Sequence, residues 1–201
     1  MSIAAAILAG GRARRLGGAQ KALLEVGGRA ILDRQLDVLT PRAARIAAVL
    51  APDDDEAPFA ARGLAIARDP ITGAGPLAAL SAALAWAAGD LLLALACDMP
   101  LVDGAVVDLV VDRARGADLA VPIAHGRAQP LLACYGARCG ALVDAALAGG
   151  ERRLVSLPDS ARASGLTVEE IGESEIRTID PELRSFANLN EPSDRLWIDG
   201  L

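Results

Sequence analysis

The chain has 201 residues, 53% of them apolar and 23% charged, with a formal net charge of −6. That balance excludes a disordered chain, and the acidic excess argues against a general binder of nucleic acid or anionic membrane. Three cysteines (Cys97, Cys134, Cys139) and a single histidine, His125, give neither a metal-ligand spacing nor an even disulfide set, so zinc-site and disulfide-scaffold classes are set aside and a reducing, cytoplasmic location is expected.

The first predicted element is an apolar strand over 3–9. No basic segment precedes it and no apolar run is long enough for a bilayer, so neither a secretory signal nor a membrane span is expected. The strand runs into a loop over 9–21 that carries Gly10, Gly11, Gly17 and Gly18 together with Arg12, Arg14, Arg15 and Lys21. Glycines let main-chain N–H groups close around phosphate oxygens, and arginine and lysine supply charge to a polyanion. Lys21 follows Gln20 and precedes Ala22, so the loop is no Walker A motif, and its adjacent glycine pairs do not fit GxGxxG. A basic cluster in an acidic chain, placed where a helix start prefers negative side chains, calls for an anion between its members.

A helix is predicted over 29–39, then strands over 45–51 and 64–67. Arg68-Asp69-Pro70 and the glycine loop ending at Gly75 follow, with Asp69 just past a strand and the glycines free to pass close to a base or ribose. Pro76 suits the first turn of a helix over 76–88 that Gly89 stops. Leu91 to Ala96 has no polar alternation, as expected of a central strand covered on both faces. It delivers Asp98, in Cys97-Asp98-Met99-Pro100, to the carboxyl end of the sheet, where open α/β folds bind ligands. A carboxylate there suits Mg²⁺ with triphosphate oxygens completing its shell. Asp103 is placed to cap a helix over 103–115. Strands over 118–123 and 131–135 and a helix over 138–148 complete the pattern. Strands separated by helix-length segments predict a three-layer α/β/α domain with a mostly parallel sheet, residues 1–201 forming one unit. The segment 150–187 is read as a cover on that sheet. In Phe186-Ala187-Asn188-Leu189-Asn190-Glu191-Pro192, an extended backbone puts both asparagine amides on one side, where they suit a heterocycle; Asn190 is also placed to cap a last helix.

These segments, in this order, resemble the molybdenum cofactor guanylyltransferase family: LAGGRARRLGGAQKALLEVGG at 8–28, RDPITGAGPLAAL at 68–80, ACDMP at 96–100, QPLLACY at 129–135, AGGERR at 148–153 and FANLNEP at 186–192. The resemblance implies a Rossmann-like fold of the nucleotide-diphospho-sugar transferase type. It implies transfer of GMP from GTP to molybdenum-molybdopterin with release of pyrophosphate. Carried over by position, Leu8, Ala9, Gly10 and Gly11 meet the guanine nucleotide, Arg15 and Lys21 face its phosphates, and Asp69 and Gly75 complete the nucleotide site. Asp98 holds Mg²⁺, with Mn²⁺ as a substitute. Asn188 and Asn190, with Arg152 and Arg153, belong to the pterin side, so the N-terminal half binds nucleotide and the C-terminal half pterin. Transient contacts with other proteins of cofactor biosynthesis or with a molybdoenzyme are implied. Gln20 stands where the family has Asp before the lysine, Ala79 where it has a second loop glycine, and Val49 where Asn would lie beside the nucleoside. Two other readings remain open at this point: a cytidylyltransferase acting on the same pterin, and a GTP-binding partner without activity.

Overall fold

The computed structural model describes residues 2–10, 20–69, 75–190 and 194. Gly11, Arg15 and the rest of the basic loop lie outside the described residues, as do Gly73 and the residues just after Asn190. The chain begins with β1 (Ile3–Leu8). A short hairpin follows, β2 (Glu25–Val26) and β3 (Arg29–Ala30). Its turn, Gly27-Gly28, has φ of 57° and 73°, both positive, as the tightest hairpin turns require. The predicted helix at 29–39 therefore starts two residues late, as α1 (Ile31–Leu39).

Next come β4 (Arg45–Leu50), the single turn α2 (Ala57–Ala60), β5 (Ala65–Arg68), α3 (Pro76–Ala87) and β6 (Leu91–Ala96). Then α4 (Gly104–Ala114), β7 (Leu119–Ala124), β8 (Arg127–Ala128), β9 (Leu132–Tyr135) and α5 (Cys139–Ala148) follow. The last are α6 (Leu157–Ala163), β10 (Val168–Ile171) and α7 (Glu173–Ile176). Asp103 caps α4 as expected, its Oδ1 accepting from the Ala105 N–H at 2.7 Å. Helix α3 ends where Ala88 turns left-handed, next to Gly89.

The main sheet has the order β10-β7-β9-β6-β1-β4-β5, with β8 paired to β7. Strands β6, β1, β4 and β5 run parallel, as do β7 and β10; β9 opposes both its neighbours. Successive residues of a strand face opposite sides. Ala5, Ile7, Leu91, Leu93 and Leu95 pack in one apolar layer with residues of α1 and α4. Ala4, Ala6, Leu8, Leu92 and Ala94 pack in a second with α3, α5 and α6. All six residues of β6 are buried. The three-layer α/β/α arrangement and the two-sided burial of this strand follow from its uninterrupted apolar run.

One expectation needs correction. Part of the 150–187 segment is not a cover but the edge strand β10, parallel to β7. Val168-Glu169-Glu170-Ile171 carries its charges because an edge faces water. Glu169 pairs with Arg113, and Glu170 with Arg162 at 2.6 Å. Asp118 fastens this edge. Its Oδ2 accepts from the main-chain N–H and the hydroxyl of Thr167, both at 2.8 Å, and from Arg138 at 2.9 Å. These donors, the Thr167 N–H first, hold its carboxyl below the usual 3.8. Asp118→Ala is expected to destabilise the fold by about 1 kcal/mol at neutral pH, because it removes the hydrogen bonds that tie this solvent-facing edge, while the freed Thr167 donors turn to water. A carboxyl with a lowered folded-state pKa gives its full contribution above its unfolded value and loses it as pH falls through the folded value. The gap between wild type and variant in urea unfolding should therefore be constant near neutrality and shrink below about pH 4.

Candidate active site

The parallel strands all end on one rim, and Gly10, Lys21, Asp69, Asp98, Asn188 and Asn190 lie along it. The Ala9 N–H donates to the Val49 carbonyl at 2.9 Å, and the Cys97 N–H donates to the Leu8 carbonyl at 3.3 Å. These bonds set the exits of β1, β4 and β6 side by side. The side chains of Leu8 and Ala9 are in the core, so only their backbone faces the rim. Gly10 is where the chain leaves it: a Cβ there would sit 3.2 Å from the Ala51 nitrogen, tighter than an ordinary contact. Asp69, just past β5, is buried, and its N–H donates to the Leu50 carbonyl at 2.9 Å.

The loop after β4 is stapled from both sides. The Arg68 guanidinium reaches the carbonyls of Ala51 at 3.0 Å and Asp54 at 2.9 Å and pairs with Glu56. Gln20 donates from Nε2 to the Asp55 carbonyl at 2.9 Å. An aspartate, which the family pattern has at position 20, has no donor to offer that carbonyl. The departure at Gln20 thus comes with its own contact.

Lys21 opens a single turn of 3-10 helix, Lys21–Leu23, and its ammonium points across the rim. It donates to Asp98 Oδ2 at 2.9 Å and to Asn190 Oδ1 at 2.6 Å. The Lys21 and Asp98 side chains are 23% and 17% exposed, so the pair is open enough for an incoming ion or phosphate to reach. One ammonium thereby joins the first motif of the chain, the aspartate after β6 and the last motif.

The C-terminal motif is held over Asp98 by its own backbone. The Leu189 N–H donates to the Asp98 carbonyl at 2.8 Å. Leu189 is buried against Val26 and Ile31, and Asn188 and Asn190, on the alternate positions, line a cleft. Upstream, Asp180 accepts from the N–H groups of Arg184 and Ser185, and Ser185 Oγ accepts from the Asp103 N–H at 3.0 Å. The start of α4 and the asparagine segment are therefore tied together.

The cleft holds about 220 Å³, between Asp98, Met99, Gln129, Pro130, Leu154, Asn188 and Asn190. Whole small-molecule pockets span roughly 300–1,000 Å³, so this is one subsite at the rim. Gln129 and Pro130 carried no assigned role in the sequence reading. They enter the wall because the β7–β8 hairpin folds back: Gln129 Nε2 donates to the Ala124 carbonyl at 3.0 Å, and the buried Tyr135 hydroxyl donates to the Pro130 carbonyl at 2.6 Å.

Two sequence assignments look different in three dimensions. Arg152 turns its guanidinium to the carbonyls of Leu147 at 3.2 Å and Glu151 at 2.7 Å, at the C-terminus of α5, where a cation is favoured. Arg153 is 81% exposed, and its nearest described charge is Glu151 at 3.8 Å. Neither lines the cleft. The Arg152 backbone does abut the nucleotide-side loop, since a Cβ on Gly75 (φ 82°) would lie 3.0 Å from the Arg152 carbonyl oxygen. The Val49 side chain is fully buried in the apolar layer under α3, a layer that also holds Ala79, so it offers no group to the rim.

The chemistry of Asp98 fits a hard cation. Among the described residues no three Asp, Glu, His or Cys side chains converge as a ligand cage. A single carboxylate on an open rim suits Mg²⁺, which keeps waters and takes its other oxygens from phosphate. The neighbouring Cys97 is buried in the core, and burial, with the Asp98 charge adding to it, pushes its thiol up to about 12. Cys134 and Cys139 are also buried, free thiols.

A family model described as the MobA-like NTP transferase domain matches residues 5–163. The probable molybdenum cofactor guanylyltransferase of Pelotomaculum thermopropionicum is 34% identical over 188 residues, covering 94% of this chain and 87% of that protein. The molybdenum cofactor guanylyltransferase of Rhodopseudomonas palustris is 35% identical over 201 residues, covering 94% and 89%. Among solved structures, the molybdopterin-guanine dinucleotide biosynthesis protein A of Archaeoglobus fulgidus superposes with a TM-score of 0.77 at 25% identity, over 100% of this chain and 97% of that one. A 2-C-methyl-D-erythritol 4-phosphate cytidylyltransferase from Thermus thermophilus shares the fold, with a TM-score of 0.71 at 20% identity, over 100% and 97%. With the match running from β1 through α6, and so through the strand ends that carry Gly10, Asp69 and Asp98, the chain belongs to the MobA-like NTP transferase family.

Proposed function

We propose that this chain transfers GMP from GTP to molybdenum-molybdopterin, forming the guanine dinucleotide cofactor and pyrophosphate. The observation that carries this reading is the Lys21 ammonium bridging Asp98 and Asn190. It brings a phosphate-seeking cation, a metal-seeking carboxylate and an amide suited to a heterocycle to one rim. The β1–β5 half with Gly75 is assigned to the nucleotide, and the asparagine segment to the pterin.

The chemical step is an in-line displacement. A terminal phosphate oxygen of molybdopterin forms a bond to the α-phosphorus of GTP, and the bond to the α–β bridging oxygen breaks. The attacking group is already an anion, so no strong general base is needed. The obstacle is electrostatic: two unit charges about 4 Å apart repel by about 4 kcal/mol at an effective dielectric near 20, and each phosphate carries more than one. Lys21 offsets that charge on the nucleotide and on the departing pyrophosphate. Asp98 would hold Mg²⁺, or Mn²⁺ in its place, which when bound supplies further positive charge at the phosphates. Asn188 and Asn190 orient the pterin through amide donors and acceptors on one side of an extended backbone, which turns proximity into rate. Arg15 and Gly11, outside the described residues, are assigned to the phosphates on the same charge and backbone argument.

Among the described residues no helix is long and apolar enough to cross a membrane. Three buried, unpaired cysteines suit a reducing compartment, and the cytoplasm is the assigned location. The product is itself a cofactor, so transient docking with another protein of its biosynthesis or with an acceptor molybdoenzyme follows from this reading.

The test is pyrophosphate release with each of the four nucleoside triphosphates, with and without molybdopterin. Release is expected only with GTP and the pterin together. Preferred turnover of CTP would replace the guanylyl assignment with a cytidylyl one, and GTP binding without release would make the chain a nucleotide-binding partner.

A further inference from the structure

We infer that Gln35, on the helix beneath the rim, is a positioning residue for Asp98. The inference rests on the reading of Asp98 as the metal-holding carboxylate. Gln35 lies in α1 and is 1% exposed. Its Nε2 donates to the Ala96 carbonyl at 2.8 Å and to the Met99 carbonyl at 3.0 Å. These residues flank the Cys97-Asp98 dipeptide, and both line the cleft with Asp98. One amide group thus clamps the turn on either side of the carboxylate, from within the core.

The clamp has a counterpart. The Leu189 N–H donates to the Asp98 carbonyl at 2.8 Å, and the Leu8 carbonyl accepts from the Cys97 N–H at 3.3 Å. Between them these contacts fix the peptide groups that set the direction of the Asp98 side chain. A reactive carboxylate has to be held to about half an ångström to act well, and groups behind it do that work.

Core packing alone does not explain the residue. Gln35 Oε1 is buried and has no hydrogen-bond partner among the described residues. A buried polar atom without a partner is unfavourable. The surroundings are apolar: Leu32 and Leu39 of the same helix, and Cys97 and Met99 below the rim, lie in one core layer. Leucine or methionine would fill that space without an orphaned oxygen. What neither can do is donate to two carbonyls at once.

The experiment compares wild type with Gln35→Met, which keeps length and loses both donors, and Gln35→His, whose ring N–H retains one. Mn²⁺ affinity is measured by electron paramagnetic resonance in the presence of GTP, well below each variant's melting temperature. Gln35→Met is expected to weaken Mn²⁺ binding by roughly 10- to 100-fold, as loss of a supporting partner behind a metal ligand does, with Gln35→His between the two. The kcat at fixed, subsaturating metal should fall in parallel and recover as metal is raised, while KM for molybdopterin stays within about twofold. Unchanged Mn²⁺ affinity in either folded variant would overturn the inference, because a purely structural role lowers the melting temperature and leaves the metal affinity of the folded molecules alone. Wild-type protein that binds no Mn²⁺ through Asp98 would overturn the metal assignment itself and this inference with it, a result separable from loss in the variants alone.

Discussion

Asp98→Ala is expected to lower pyrophosphate release from GTP and molybdopterin by roughly a thousandfold in saturating Mg²⁺, about 4 kcal/mol in the barrier. The fold should survive. The Asp98 side chain makes one described contact of its own, the pair with Lys21, and the ammonium it releases keeps the Asn190 amide oxygen as a partner. The contact that seats the C-terminal motif is made by the Asp98 main-chain carbonyl, which alanine keeps. GTP affinity gives a sharper signature than rate. Without Mg²⁺ the carboxylate only repels a triphosphate, so the variant should bind GTP as tightly as wild type or more tightly. With Mg²⁺ the order reverses, because wild type alone can hold the ion against the phosphates. Calorimetric titration with and without Mg²⁺ reads both limbs. Wild-type turnover by the folded variant, or an order of affinities that Mg²⁺ does not invert, would remove Asp98 from its assigned role.

The parts of this site that were legible in the sequence are those where one strong pattern acts alone. Six apolar residues without alternation, too few for a typical helix and bounded by Gly89 and Pro100, read as a strand buried on both faces, which puts Asp98 at the end of a central strand. Alternation in Asn188-Leu189-Asn190 likewise fixes which residue turns inward. Patterns that compete were harder to read. Gln35 sits in the run Asp33-Arg34-Gln35, which looks like the solvent face of an amphipathic helix; only the three-dimensional path of the turn after β6 reveals two carbonyls waiting for it. The resemblance puts Arg152 on the pterin side, yet the glycines before it end α5, and the carbonyls at that helix end claim the guanidinium. At Val49 the alignment reading is overruled by layering. With helices on both sides of the sheet, Ala47 to Leu50 are all fully buried, so a ligand can meet β4 only beyond its last residue. The edge strand β10 was hidden because its two central residues are glutamates, which an edge tolerates and a central strand does not.

Lys21→Met should separate triphosphate from nucleoside recognition. A charge-assisted bond to phosphate contributes about 1.5–3 kcal/mol, so GTP affinity should fall roughly 10- to 100-fold while guanosine affinity changes less than about twofold. Methionine keeps most of the side-chain stem, which limits the loss to the ammonium. The loss has two sources of the same sign. The phosphates lose a cation, and Asp98 loses the charge that screens it from them, since the same ammonium serves both. Sharing of that kind makes the two residues non-additive. In the absence of Mg²⁺, the Lys21→Met, Asp98→Ala double variant should bind GTP more tightly than Lys21→Met alone, because the unscreened carboxylate is gone. Equal losses for GTP and guanosine would place Lys21 away from the phosphates. Strict additivity in the cycle would mean that Lys21 and Asp98 do not act on the same charge, leaving their 2.9 Å contact without a part in nucleotide binding.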